Sequence, residues 1–145
     1  MKIKQLSVFL ENKPGQLNIP CKALASAGLN ILTLSLADTH QFGILRLILE
    51  EPDKGKEALE AAGCVVNVTE VVAVTVPDRP GGLAEILDLI EKAGINLEYM
   101  YAFTARKKDQ AILVFRFEDP ETAIEVLQKN GISVINRVEL FDLAK

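Results

Sequence analysis

The residues best suited to binding chemistry occur in two segments of this chain, at 12–17 and 78–83. Both read Asn or Asp, a basic residue, Pro, Gly, a variable residue and Leu. Because Pro fixes φ at about −65° and Gly has no side chain, the backbone turns sharply there and a ligand can approach it closely. We predict that a helix starts directly after each turn.

The start of such a helix offers binding groups of its own. The first backbone N–H groups of a helix have no intrahelical acceptors, and together with the helix dipole they attract an anion such as a carboxylate. We expect these N–H groups at residues 16–18 and 82–84. Just before each turn, the side-chain oxygens of Asn12 and Asp78 can accept hydrogen bonds from an ammonium group. Carboxylate donors beside ammonium acceptors match the main-chain end of a free α-amino acid.

A simpler interpretation is that Asn12 and Asp78 only cap their helices and that Pro-Gly is ordinary turn chemistry. A second repeated signature favours the binding interpretation. Ala-Gly-Leu-Asn-Ile at 27–31 recurs as Ala-Gly-Ile-Asn-Leu at 93–97, and both signatures recur at the same interval of 66 residues. The chain is therefore a duplication in which each copy places the same element between two turns.

The hydrophobic pattern predicts the elements that hold these turns. Alternation over residues 3–10 predicts a strand, and the stripe Leu17, Cys21, Leu24 and Gly28 predicts an amphipathic helix. Two strands, a short helix and a final strand follow, at 30–38, 43–50, 53–61 and 64–70 in the first copy and at 96–104, 111–118, 120–129 and 132–141 in the second. This βαββαβ order predicts an α+β fold of two ferredoxin-like units, with antiparallel sheets in strand order 4-1-3-2 and helices on one face. We place the units at 1–70 and 71–145.

Composition excludes several classes of function. The chain has 145 residues, 49% hydrophobic and 25% charged, as in an ordinary globular protein. A net charge of −4 gives no electrostatic footprint for nucleic acid, and no apolar run is long enough to span a membrane. We expect a cytoplasmic protein without nucleic-acid or membrane partners. Cys21 and Cys64 lack a CxxC spacing and are expected to be buried free thiols, and the single histidine, His40, is expected on the surface.

In this order and spacing, the repeated segments resemble the ACT domain, an amino-acid-sensing module attached to many metabolic enzymes. The resemblance covers essentially the whole chain as two ACT units. It implies that an amino acid binds at the first strand-helix loop, usually where two ACT units meet. The matching residues are Asn12, Pro14, Gly15, Gln16, Leu17, Asn30, Asp78, Pro80, Gly81, Gly82, Leu83 and Asn96. Of these, Asn30 and Asn96 match the polar position that opens the second strand.

These observations favour a non-catalytic sensor or regulatory protein that binds a free amino acid and needs no cofactor or metal. One alternative is a regulatory subunit of an amino-acid biosynthetic enzyme. Another is an acylphosphatase-like enzyme, which would use the loop as an anion site with Arg79, and a third is a purely structural assembly module. No catalytic set of Ser, His and Asp or of Cys and His can be assembled from the sequence, so we expect no catalysis.

The two copies differ in ways that bear on their sites. Pro20 removes a backbone donor in the first copy and is expected to shift or kink the start of its helix. The second copy carries a two-residue insertion between residues 103 and 111, where Arg106-Lys107-Lys108-Asp109 predicts a longer turn. Its second strand also carries an aromatic row, Tyr99, Tyr101 and Phe103, which suits the core, a subunit contact or a wall of the ligand pocket.

The sequence also predicts a homodimer. The second strand of each unit is a sheet edge that invites pairing. The short link between the units favours such pairing between chains, or else an exchange of terminal strands between the two copies. The strand face opposite the core is half apolar and is expected to pack on another sheet. Its residues are Ile44, Arg46, Ile48, Ile112, Val114 and Arg116.

Overall fold

A computed structural model describes residues 1–38 and 40–144. The chain forms two compact units. One is Lys4–Thr69, and the other combines Met1–Ile3 with the chain from Glu70 onward. The division falls inside a single strand, Val65–Pro77, so a strand occupies the place of a linker.

The first unit follows the predicted order of elements. They are β1 Ile3–Glu11, α1 Asn18–Ser26, β2 Ile31–Asp38, β3 Phe42–Leu49, α2 Pro52–Ala61 and the first part of β4 Val65–Pro77. The strand order is β2-β3-β1-β4, with β3 antiparallel to both β1 and β2. Leu6 lies opposite Leu47 and Val8 opposite Leu45, and this apolar face packs with Leu24 of α1 and Leu59 of α2. Both helices therefore cover the same face of the sheet.

The second unit repeats this architecture. After β4 come α3 Gly82–Lys92, β5 Leu97–Lys107, β6 Gln110–Phe117, α4 Pro120–Lys129, β7 Val134–Ile135 and α5 Arg137–Leu143. The order is β5-β6-β4, with β7 paired to the other side of β4. Val72 lies opposite Phe115, and the core on this face includes Ile86 and Ile90 of α3 and Leu127 of α4. The prediction of two ferredoxin-like βαββαβ units is confirmed.

The C-terminal strand expected at 132–141 is a correction. Pairing stops after Ile135, and the short helix α5 begins at Arg137. The side chain of Asn136 caps this helix, since it accepts a hydrogen bond of 2.9 Å from the Glu139 N–H. Leu140 and Phe141 are both buried, whereas a strand would send neighbouring side chains to opposite faces. α5 packs against β5.

The start of α1 also differs from the predicted stripe. α1 begins at Asn18, two residues later than the position equivalent to the first residue of α3, and Leu17 is 40% exposed. Pro20 explains the shift. If the helix began at residue 16, Pro20 would be the fifth helical residue, whose N–H must donate to the first carbonyl. Starting at Asn18 places Pro20 third, where no intrahelical donor is needed.

The sheet face expected to contact a second chain is largely buried in the single chain. Ile48 and Val114 have no exposed surface and Ile112 is 1% exposed. The aromatic row of β5 shares this face, with Phe103 buried and both tyrosines half-buried. The face therefore gives no argument for a homodimer.

Candidate functional site

The two Pro-Gly turns have the same backbone geometry. Gly15 and Gly81 both have φ of 86°, in the left-handed region. The Gln16 N–H donates to the Lys13 carbonyl at 3.2 Å, and the Gly82 N–H donates to the Arg79 carbonyl at 3.0 Å. A Cβ added at either left-handed glycine would meet nothing within 4 Å, so the backbone angle is the constraint and the space beside the turn is open.

Free helix amides lie directly beyond both turns. Neither α1 nor α3 has a side-chain cap, and nor does α2, whereas Asp119 caps α4 and Asn136 caps α5. Within residues 1–38 and 40–144, the N–H groups of Leu17 and Asn18 meet no acceptor, and the same holds for Leu83 and Ala84. The turns themselves use the N–H groups of Gln16 and Gly82, so the available amides begin one residue later than the sequence predicted.

Asn12 lies beside the hairpin that joins β2 to β3. Its N–H donates to the Gln41 carbonyl at 2.9 Å, and its Nδ2 donates to the His40 carbonyl at 2.8 Å. The bond from Nδ2 to the His40 carbonyl fixes the orientation of the side-chain amide. Asn12 does not cap α1, so the interpretation of Asn12 as a helix cap is wrong. The His40 backbone has φ of 73°, and its N–H donates to Asp38 Oδ1 at 2.6 Å. His40 thus contacts the Pro-Gly turn through its backbone carbonyl, which accepts the bond from Asn12.

Asp78 occupies the same position beside the hairpin that joins β5 to β6. Its N–H donates to the Asp109 carbonyl at 3.4 Å. Its Oδ2 lies 2.7 Å from Arg106 Nη2, and both side chains are more than half exposed. Asp78 does not cap α3 either. The Asp78 carboxylate is already paired with Arg106. Because an exposed ion pair contributes little free energy, another cation can replace Arg106.

Sequence reasoning missed the contact between each Pro-Gly turn and the neighbouring hairpin. Gln41 and Asp109 are equivalent positions of the two copies once the two-residue insertion is counted, and each accepts the same backbone hydrogen bond. A signal for this contact was present, because a ferredoxin-like order places the first strand next to the third. The turn after the first strand must then lie beside the hairpin that leads into the third strand.

Asn30 and Asn96 lie at the other ends of the two helices. Asn30 follows α1 and Asn96 follows α3, so a helix of nine or eleven residues separates each from the turn of its own unit. At 1.5 Å per residue these helices are about 14 and 17 Å long. The structure therefore does not bring either asparagine to the turn that precedes it in the same unit. Asn30 lines a small open pocket with Gly28, Leu29, Leu49, Glu50 and Glu51.

The remaining candidates from the sequence are Arg79 and the two cysteines, and the sequence predicts neither a metal site nor a membrane-spanning helix. Arg79 Nη2 lies 3.0 and 3.1 Å from the two carboxylate oxygens of Glu85, in an exposed ion pair with α3. Cys21 and Cys64 are free and half-buried where we expected full burial, and burial raises the pKa of the Cys64 thiol. Within the described ranges, no cluster of His, Cys, Asp or Glu is arranged for a metal ion. No helix among the described residues has the length and apolar character needed to cross a membrane.

Comparison with known proteins agrees with this geometry. The model of a protein family described as the ACT domain pair matches residues 1–144. A solved structure of protein BT0572 from Bacteroides thetaiotaomicron is 38% identical, with a TM-score of 0.90 over 99% of this chain and 98% of the other. The ligand-free regulatory subunit of aspartate kinase from Thermus thermophilus is 16% identical, with a TM-score of 0.61 over 87% of this chain and 91% of the other. The latter similarity concerns the fold. No curated protein sequence matches the chain. From the family match over nearly its full length and the similarity to BT0572, we conclude that this chain belongs to the ACT domain pair family.

Proposed function

We propose that this protein is a non-catalytic cytoplasmic sensor or regulatory protein that binds a free amino acid at its Pro-Gly turns. The observation that carries the proposal is the uncapped helix start beside a side-chain acceptor. In the second unit, the free N–H groups of Leu83 and Ala84 would bind the carboxylate of the amino acid, and Asp78 would bind its ammonium group. The first unit offers Leu17, Asn18 and Asn12 in the same arrangement.

The second turn is the stronger site in this proposal. Asp78 is a carboxylate and attracts an ammonium group with a charge-assisted hydrogen bond, whereas Asn12 offers a neutral amide oxygen. At the start of α3, the backbone at Gly82 also lies close to the Pro77 carbonyl. A Cβ at residue 82 would be 2.0 Å from that oxygen, so only glycine fits there. The remaining proposed contacts come from the turn residues Pro14, Gly15, Pro80 and Gly81, with Asn30 and Asn96 as more distant candidates.

The experiment that tests the proposal is a melting series with the twenty common amino acids. An amino acid at about 100 times its Kd is expected to stabilise the protein by about 2.7 kcal/mol. Its carboxamide analogue should stabilise the protein far less, because helix amides favour a negative charge. Equal stabilisation by the acid and the carboxamide would contradict binding of the carboxylate at the helix start.

We further propose a homodimer that forms through the outer edge of β2. This strand lies at the end of the order β2-β3-β1-β4, and Leu34 and Leu36 on it are 46% and 52% exposed. From residue 33 to residue 37 the strand carries no charge or proline that would discourage pairing with another strand. An antiparallel contact between two copies of β2 would cover both leucines.

Leu36→Lys is expected to shift this dimer to monomer in sedimentation equilibrium, because it puts two lysines into one symmetric contact. Val138→Lys serves as the control, since Val138 is 67% exposed and lies on α5, outside β2. A wild-type protein that sediments as a monomer at every concentration would refute the dimer. A partner enzyme regulated by the bound amino acid remains part of the proposal, and its identity would follow from the ligand found.

A further inference from the structure

Two neighbouring cations on the β5–β6 hairpin hold two different elements. Arg106 Nη2 lies 2.7 Å from Asp78 Oδ2 in the proposed site, and Lys107 forms an ion pair with Glu139 of α5. Because consecutive strand residues project to opposite faces, the hairpin stands between the turn on one side and α5 on the other. Movement of the hairpin would therefore act on both contacts.

The two-residue insertion in the second copy is what makes this arrangement. The longer turn expected at residues 106–109 is wrong, because Arg106 and Lys107 belong to β5 and only Lys108 and Asp109 separate β5 from β6. The extra length lies in β5, whose register with β6 shifts between Ala102 and Arg106. In the first unit the corresponding hairpin meets Asn12 through the His40 and Gln41 carbonyls, with no cation on Asn12 among the described residues. The second turn thus differs from the first because the Arg106 guanidinium is paired with Asp78, the residue proposed to bind the ammonium group of the ligand.

α5 has the properties of an element with two states. It has seven residues, and helices of fewer than about 12 residues are marginal in water on their own. Its order depends on docking through Leu140, which has no exposed surface, and Phe141, which is 9% exposed. When so short a helix undocks, it also unfolds.

We infer that α5 is a latch that reports whether the second turn is occupied. This inference rests on the proposed function. The ammonium group of a bound amino acid competes with the Arg106 guanidinium for Asp78, and exposed ion pairs of this kind exchange readily. Release of Arg106 removes the side-chain contact between the hairpin and the turn and leaves the backbone bond from the Asp78 N–H to the Asp109 carbonyl. The Lys107–Glu139 pair then weakens, and α5 opens more often.

The first arm of the test needs no ligand. In hydrogen exchange on the full chain, α5 is followed through the Leu140 and Ala144 N–H groups, which donate to the Asn136 and Leu140 carbonyls at 3.0 and 3.2 Å. Arg106→Ala and Lys107→Ala are each expected to speed this exchange by up to about fivefold, the upper limit for an exposed ion pair. Lys108→Asn is the control at the hairpin tip. It removes a cation that has no ion pair among the described residues, and Asn tolerates the φ of 55° there. Unchanged exchange in Arg106→Ala would overturn the coupling.

The second arm adds the twenty common amino acids singly, with calorimetry on the same samples. An amino acid that binds should speed α5 exchange in the wild type and have no further effect in Arg106→Ala, whose affinity should rise because the internal competitor is gone. Binding without any change in α5 exchange overturns the latch and leaves the proposed function standing. If no amino acid binds while Arg106→Ala still speeds exchange, the proposed function fails and the latch loses its signal, although the contact between hairpin and α5 is confirmed.

Discussion

Asp78→Ala weakens amino-acid binding by about 1.5 to 3 kcal/mol in isothermal calorimetry, the range for a hydrogen bond to a charged group, if the second turn is the main site. Asn12→Ala costs about 0.5 to 1.5 kcal/mol, because it removes a neutral acceptor. The difference comes from one pair of equivalent positions in the two turns. Both turns otherwise share the same glycine φ of 86° and a pair of free helix amides.

The comparison of these two variants is sound because neither side chain caps its helix. The substitutions therefore leave the helix starts unchanged. Urea unfolding measures the stability that Asn12→Ala loses with its bond to the His40 carbonyl and that Asp78→Ala loses with its Arg106 ion pair. Asp78→Asn is the matched control that retains an acceptor and removes the charge, and its affinity should fall between those of wild type and Asp78→Ala. If Asn12→Ala is the more damaging variant, the first unit carries the main site and the ranking is wrong.

Gly81→Val is the second variant with a large expected effect. Its φ of 86° is unfavourable for a residue with a Cβ, and valine is branched there, so a loss of about 1 to 3 kcal/mol in unfolding free energy is expected. A Cβ added at residue 81 meets no atom within 4 Å apart from its chain neighbours, so steric overlap of the Cβ is not the cause of this loss. The added side chain would instead occupy the approach to the Leu83 and Ala84 amides. We expect the loss in binding free energy to exceed the loss in stability.

Gly94→Val separates the backbone effect from the binding effect. Gly94 has φ of 70°, and an added Cβ also meets nothing within 4 Å, but it follows the C-terminal end of the same helix. The two variants should lose similar stability in urea unfolding, and Gly81→Val alone should lose affinity. A folded Gly81→Val protein with wild-type affinity would place the amino acid away from this turn.

The repeat made most of the fold predictable from sequence. Patterns such as Leu6, Val8 and Leu10 recur at a constant offset, so each element was supported twice, and α4 was placed at its observed bounds. The C-terminal helix was missed because the first copy, which served as the guide, ends in a strand. Recognising it required reading Asn136 as a cap and Leu140 with Phe141 as neighbours on one helix face.

The candidate site was predictable only in its backbone. Pro and Gly specify the turn, and the order of elements specifies that a helix follows it. The partners of Asn12 and Asp78 depend on which loop lies beside each turn in space. Arg106 is 28 residues from Asp78 in sequence, and its pairing follows from the length of the inserted hairpin. Local residue patterns carry no direct information on such a contact.

The different starts of α1 and α3 have a consequence for the history of the repeat. Glutamine at residue 82 would place its Cβ 2.0 Å from the Pro77 carbonyl oxygen, whereas the first copy accommodates Gln16 because its helix begins later, at Asn18. Pro20 in turn requires that later start. Recombination between the two halves of the gene would therefore introduce a clash or a missing helix donor unless several of these positions changed together. The two turns therefore cannot be interchanged by a single substitution, because Gln at residue 82 requires a later start of α3 and an earlier start of α1 is blocked by Pro20.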